Sequence, residues 1–180
     1  MRVITGEARG RKLKTPANDD VRPTTDNVKE SIFNIVRDGV EGRKVLDLFA
    51  GTGQLGIEAV SRGAASVTFI DNDQRSINLV KENLSICKFS ANVIKADSIS
   101  YLQSCPKFDL IFMDPPYDSD LYEGALNNIC QFDILNKGGL IVVESRRERK
   151  LPPVQPPYQF LKEYLYGKVK ITTYIRSCDL

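Results

Sequence analysis

The chain has no histidine among its 180 residues. That removes Ser-His and Cys-His nucleophile pairs and most zinc sites, so any proton transfer must be managed without an imidazole. Cys87, Cys105, Cys130 and Cys178 are dispersed, with no Cys-x-x-Cys pair. They read as reduced thiols and not as a disulfide framework or a metal site, and no metal is expected. No apolar run approaches the roughly 20 residues of a membrane span. The opening Met1–Gly6 lacks the long apolar stretch of a signal peptide. There is no repeat and no low-complexity tract. Strong charge is missing too: 25 basic against 23 acidic residues leave a net +2, so bulk charge does not announce a nucleic-acid binder. These absences set the expectation of one cytoplasmic domain, 1–180, without membrane contact; a monomer is expected as well, though nothing in the sequence fixes that.

What is present is unevenly placed. Residues 1–14 carry Arg2, Arg9, Arg11, Lys12 and Lys14 against one acid, Glu7. Arg146, Arg147, Arg149 and Lys150 cluster again around Glu148. Two solvated faces are one reading; two rims of a polyanion-binding surface are the other.

The chain is organised around Val45–Gly53, Val-Leu-Asp-Leu-Phe-Ala-Gly-Thr-Gly. Val45–Phe49 has the apolar pattern of a short buried strand. Gly51 and Gly53 permit a tight turn and close approach of a ligand to the backbone. Leu55, Ile57, Ala59 and Val60 follow as a helix ending near Gly63. Gly51-x-Gly53-x-x-Gly56 matches a dinucleotide fingerprint, but Asp47 would turn a negative charge towards the ligand crevice. That opposes a pyrophosphate and suits a cationic ligand.

Before this centre, Arg2–Thr5 and Arg11–Thr15 read as a hairpin or two extended segments, and Pro16–Asp20 as a loop. Thr24 or Thr25 is the expected cap of a helix carrying Val28, Ile32, Phe33, Ile35 and Val36. That segment, 1–43, precedes a catalytic sheet at 44–180. In the sheet, Ser66–Ile70, Asn92–Lys95, Phe108–Met113 and Leu140–Glu144 read as strands. Helices are expected at Ile77–Leu84, Ile99–Gln103 and Leu121–Cys130, with Gly138-Gly139 as a turn. Phe160–Tyr166 and Lys168–Arg176 form an antiparallel hairpin at Gly167. Together these units predict an α/β fold: an open, mostly parallel twisted sheet with helices on both faces, Rossmann-like, closed by the C-terminal hairpin and extended by the N-terminal one. Asp47, Asp71, Asp97 and Asp114 all fall at or near strand C-termini, where such sheets bind ligands.

Asp47–Gly53 together with Asp114-Pro115-Pro116-Tyr117 resembles the S-adenosylmethionine-dependent amino-methyltransferases of class I fold. Arg2-Val-Ile-x-Gly6, Gly10-Arg11-Lys12-Leu13 and Arg22-Pro23-Thr24-Thr25-Asp26 narrow this. With them the chain resembles, nearly end to end, the RsmD-type bacterial family that methylates the guanine N2 amine in 16S ribosomal RNA. The resemblance implies S-adenosylmethionine as cofactor and small-subunit ribosomal RNA as partner, free or in an assembling subunit. It implies cofactor contacts from Thr24, Asp47, Phe49, Ala50, Gly51, Gly53, Asp71, Asn72, Asp97 and Ser98. It also implies that Arg9, Arg11, Lys12 and Arg22 face RNA.

The chemistry expected of Asp114–Tyr117 can be stated atom by atom. A base amine is a poor nucleophile because its lone pair is delocalised into the ring. The Asp114 carboxylate and the Pro115 carbonyl could accept its two hydrogens and free that pair. Pro116 helps fix the backbone, and Tyr117 offers a face for base stacking. Asp71 and Asp97 could alternatively be helix caps. A DNA adenine-N6 methyltransferase and a non-catalytic RNA-binding module for ribosome assembly are the competing readings. Nearly every residue belongs to the sheet, which leaves little for a DNA-reading domain, and an intact Asp114–Tyr117 has no use in a bare binding module.

Overall fold

A computed structural model describes residues 1–16, 26–37 and 39–178. The expectations placed on Arg22, Thr24 and Thr25 lie outside the described residues. The elements run α1 (Asp26–Val36), β1 (Lys44–Asp47), α2 (Gln54–Ser61), β2 (Ser66–Asp71), α3 (Gln74–Cys87), β3 (Asn92–Lys95), α4 (Ser98–Tyr101), β4 (Phe108–Met113), α5 (Leu121–Gln131), β5 (Leu135–Arg146), β6 (Tyr158–Tyr166) and β7 (Val169–Arg176). No helix among the described residues is long and apolar enough to cross a membrane.

The seven strands form one sheet in the order β3-β2-β1-β4-β5-β7-β6. β1 to β5 pair in parallel, whereas β7 runs antiparallel to both β5 and β6. The order reverses between β1 and β4, and there the loops beyond the strand ends diverge to leave a crevice.

Alternation along the strands sorts the core into two layers. Val45, Leu110, Phe112 and Val142 face α1, α2 and α3. Leu46, Ile111, Met113, Ile141 and Val143 face α5. In α1 the apolar positions Val28, Ile32, Phe33 and Val36 fall at helical spacing and are buried. The Phe33 ring sits 5.4 Å from that of Phe112 on β4. Each such fully buried large side chain contributes about 1.5–3 kcal/mol of transfer free energy.

Three expected boundaries shift, each for a local reason. The central strand ends at Asp47, and Leu48 and Phe49 turn towards the glycines. Backbone contacts continue past that end, with Leu48 N–H donating to the Phe112 carbonyl at 3.1 Å and Ala50 N–H to that of Ile70 at 2.9 Å. Gly138-Gly139 is not a turn before β5 but part of a bulge within it. Phe108 pairs with Leu135 and Leu110 with Leu140, so Asn136–Gly139 is extra chain on one side. Gly138 takes φ +71°, and the Asn136 amide donates to Asp109 at 2.8 Å. The short fourth helix starts at Ser98 and not Ile99 because Asp97 caps it.

The N-terminal extension makes one antiparallel bridge, Arg2 to Lys12, around a tight turn. It is held down by polar contacts that its own sequence does not announce. The buried Glu58 carboxylate on α2 accepts from the Ile4 and Thr5 N–H groups at 2.7 and 2.9 Å. Ser61 Oγ accepts from Ala8 N–H at 3.0 Å and donates to the Thr5 carbonyl at 2.6 Å. Lys29 of α1, fully buried, donates to the Arg2 carbonyl.

Candidate active site

The loops that follow β1, β2, β3 and β4 meet at one edge of the sheet. Three of the four acids foreseen at strand ends hold backbone there. Asp47, 3% exposed, accepts from the Gly56 N–H at 2.9 Å and so ties the end of β1 to the first turn of α2. Asp71, half-buried, accepts from the Gly51 N–H at 2.9 Å and from the Asp73 N–H at 2.9 Å. One carboxylate thus fixes the glycine turn against the end of β2. The cap of α3 is Asp73, which accepts from Arg75 N–H; the capping alternative for Asp71 passes to its neighbour. Asp97 does cap α4, accepting from the Ser100 N–H and hydroxyl, each at 2.8 Å. These bonds hold its carboxyl below the usual range.

Around them, Ser98 is buried and its hydroxyl donates to the Leu48 carbonyl at 2.8 Å. Phe49 is partly buried against the α5-side core. Ala50 is buried, and Asn72 is exposed just past β2. Gly51 has φ +53°, and a Cβ placed there would meet nothing within 4 Å. Gly53 has φ +76° and begins α2. The open space at Gly51 lets a ligand approach the turn closely, and the half-buried Asp71 carboxylate beside it is an acceptor suited to ribose hydroxyls. These residues fit S-adenosylmethionine.

Burial raises the Asp47 carboxyl to about 7, with nearby Asp71 pushing the same way and the Gly56 N–H opposing. A raised folded pKa gives stability that is complete below the unfolded value of about 4 and is lost as pH rises through 7. Each pH unit of that span is worth about 1.4 kcal/mol. Asp47→Asn keeps an acceptor for Gly56 and carries no charge. Its melting temperature relative to wild type should therefore improve from pH 5 to about pH 7 and level off by pH 8. A difference that stays constant with pH would show that Asp47 is not a buried, late-titrating acid.

Asp114-Pro115-Pro116-Tyr117 leaves the end of β4 directly beside β1. Asp114 is half-buried, Pro115 buried and Pro116 exposed. The loop is braced from three later elements. Tyr117 Oη donates to Glu144 Oε1 at 2.8 Å. Tyr122 on α5 places its hydroxyl 3.3 Å from the Pro115 carbonyl and 3.2 Å from that of Glu144. Arg149 Nη2 donates to the Tyr117 and Ser119 carbonyls at 3.0 and 2.9 Å. Its guanidinium also lies 4.3 Å from the centre of the Tyr122 ring. Burial first, then the neighbouring acids, pushes both phenols well above their ordinary range. They remain donors at any working pH.

Glu144, Tyr122 and Arg149 were not among the residues expected at the site. One signal was available for Glu144, which is an acid closing the buried run Leu140–Val143. Arg149 belonged to a noted basic cluster, but its commitment to the loop depends on packing across 32 residues.

Arg9, Arg11 and Lys12 are exposed and lie on the α2–α3 side. Arg11 donates to the Ile86 carbonyl in the last turn of α3 at 3.2 Å. The turn that carries Arg9 is fastened to Ser61, where α2 ends. α2 starts at the glycine turn, so that fastening point lies about 12 Å down the helix from the site edge, whereas Met1 Sδ lies 3.5 Å from Thr52 Oγ1 in the turn and Asn83 links the Lys14 backbone to the Thr52 carbonyl.

The model of the family described as conserved hypothetical protein 95 matches residues 1–175. The ribosomal RNA small subunit methyltransferase D of Haemophilus influenzae is 39% identical, covering 97% of this chain and 93% of that protein. The solved structure of yhhF from Escherichia coli superposes with a TM-score of 0.89 at 36% identity, covering 99% of both chains. A T. thermophilus 16S rRNA N2 G1207 methyltransferase, solved with AdoMet and guanosine, gives a TM-score of 0.73 at 24% identity. It covers 89% of this chain and 44% of that one, and at this identity the likeness is one of fold.

Proposed function

This chain belongs to the family described as conserved hypothetical protein 95, and from that premise we propose that it moves a methyl group from S-adenosylmethionine to the N2 amine of a guanine in small-subunit ribosomal RNA. The observation that carries the reading is the braced Asp114–Tyr117 loop at the end of β4, beside the Asp71–Gly51 turn and across the topological crevice. When bound, the cofactor supplies a methyl group on a sulfonium.

The chain's own residues prepare the acceptor. The Asp114 carboxylate accepts a hydrogen bond from one amine N–H and the Pro115 carbonyl from the other, which draws the nitrogen lone pair out of the ring. The Tyr122 hydroxyl holds the Pro115 carbonyl from one side; a carbonyl oxygen has two lone pairs, so one is left for substrate. The ring of Tyr117, steadied by Glu144, gives the base a flat partner. After transfer the nitrogen carries a positive charge and is acidic, and Asp114 is placed to help its proton leave.

Asp71, Asn72, Gly51, Gly53, Asp97 and Ser98, with Phe49 and Ala50, are the residues proposed to hold the nucleoside; Asp47, expected to turn a charge towards the cationic end, is instead buried against the Gly56 N–H and serves by tying α2 to the end of β1. Calorimetry with S-adenosylmethionine should show one site. Asp71→Ala should weaken it by about ten- to a hundredfold, the worth of charged hydrogen bonds to the ribose plus the loosened Gly51 turn. Unchanged affinity in that variant would remove Asp71 from the cofactor site. The whole reading is tested by incubating the protein with labelled cofactor and either protein-free small-subunit RNA or assembled particles, then identifying the labelled nucleoside. N2-methylguanosine is the expected product. Label in a nucleoside other than guanosine, or none in either RNA form, would overturn it.

A further inference from the structure

We infer that the phosphates flanking the target guanine lie on the corner where β5 meets the β6–β7 hairpin, on Arg146, Arg147 and Lys168, and not on the N-terminal basic segment. This rests on the RNA-methylating reading above.

Topology supplies the first argument. The residues suited to the cofactor follow β1, β2 and β3, which occupy one half of the sheet. Asp114 ends β4, and the next strand outward is β5. A nucleotide that presents its amine to Asp114 while the cofactor fills the other half must bring its backbone over the β5 side. The C-terminal end of β5 is Arg146, paired with Val169 of β7.

Contacts and charge supply the second. The Arg146 guanidinium lies 5.6 Å from the centre of the Tyr117 ring, so the corner is continuous with the surface on which the base would stack. Its ion pair with Asp118, at 2.9 Å, has side-chain exposures of 54% and 82%. A pair so exposed contributes about 0–1 kcal/mol and can be exchanged for a phosphate. Arg147 N–H donates to the Lys168 carbonyl at 2.9 Å, so two residues with exposed cationic side chains are joined through their backbones just beyond Arg146. The acids of this corner are Glu148, also exposed, and Asp118. Arg149 and Lys170 belong elsewhere. Arg149 braces the Asp114–Tyr117 loop, and Lys170 donates to the Arg149 carbonyl at 2.7 Å and pairs with Glu163.

The N-terminal cations are worse placed. They sit beside α2 and α3 on the cofactor half of the sheet, away from β5; their surface contacts, Arg11 to the Ile86 carbonyl and Lys14 to Glu82, are as exposed as that of Arg146, so position alone separates the two clusters.

The test compares two triple variants of the full chain. One is Arg146→Gln with Arg147→Gln and Lys168→Gln; the other is Arg9→Gln with Arg11→Gln and Lys12→Gln. All six side chains are exposed, so folding, followed by melting temperature, serves as a control. Binding to the small-subunit RNA form that the wild type methylates is measured across a salt series, and S-adenosylmethionine affinity by calorimetry. The corner variant should lose about tenfold or more in RNA affinity, and its log K against log salt slope should flatten by roughly two to three. Its cofactor affinity should stay at wild type, and the N-terminal variant should lose far less RNA binding. A corner variant with wild-type slope and affinity, beside a wild type that still methylates the RNA, overturns this inference alone. A wild type that neither binds nor methylates RNA overturns both readings.

Discussion

Asp114→Ala is expected to lower the methyl-transfer rate by roughly a hundred- to ten-thousandfold, in the range of losing one aligned polar group at a reacting centre, while S-adenosylmethionine binds within a few fold of wild type. The asymmetry follows from where the carboxylate acts. Asp114 leaves β4 beside the crevice, whereas the groups suited to the cofactor sit on the β1–β3 side. Its partner in the reaction is the amine, and the demand on it rises as the nitrogen becomes tetrahedral. An interaction made mainly in the transition state appears in kcat and kcat/KM together. Asp114→Asn should fall between, because an amide oxygen still accepts one hydrogen bond without the charge. Single-turnover rates with saturating RNA, beside calorimetric cofactor affinity, separate the two effects. Wild-type turnover in the alanine variant would place the chemistry elsewhere.

The parts of this site that could be read from the sequence are those made by neighbours in the chain. Asp114-Pro-Pro-Tyr is contiguous, and Asp47 to Gly53 spans a single strand-to-helix turn, so residue type and spacing carry their geometry. The parallel run of β1 to β5 follows from β/α alternation, though their order in the sheet does not, and the hairpin of β6 and β7 follows from the turn at Gly167. What holds the site rigid was not legible, because it arrives through packing. Glu144 reaches Tyr117 across 27 residues, and Glu58 secures Ile4 across 54. Nothing in the local pattern of Arg146–Lys150 says that Arg149 turns inward to the loop carbonyls while Arg146 and Arg147 face solvent. The same holds for the N-terminal cations. Their sequence reads as a free basic rim, but Glu58 and Ser61 fasten their segment along α2, on the β1–β3 side of the sheet. Asp47 shows the converse: its strand-end position was foreseen, whereas its full burial is a property of the helix that covers it.

Gly56→Ala should destabilise the fold by about 2–3 kcal/mol and loosen cofactor binding at the same time. Gly56 lies in the first turn of α2, where alanine would ordinarily help a helix by about 1 kcal/mol. Here a Cβ would sit 2.2 Å from Phe69 Cε1, 2.6 Å from its Cζ and 3.0 Å from Asp47 Oδ2. Phe69 on β2 is completely buried and cannot swing away, so the clash falls on the helix. Overpacking of this kind costs typically 1–3 kcal/mol, and more when backbone must move, which outweighs the helix preference. A retreating α2 also lengthens the bond from the Gly56 N–H to Asp47 and drags the start of the helix, Gly53, with it. The glycine turn that Asp71 holds would then no longer meet the nucleoside squarely. A melting temperature lower by roughly 5–10 °C is expected for a domain of this size, together with weaker S-adenosylmethionine binding by calorimetry. Combining Gly56→Ala with Phe69→Leu should restore part of the affinity, since the smaller side chain vacates the place the new methyl needs. If Gly56→Ala melts with wild type and binds cofactor as tightly, α2 does not depend on this close approach, and Gly51 and Gly53 alone shape the turn.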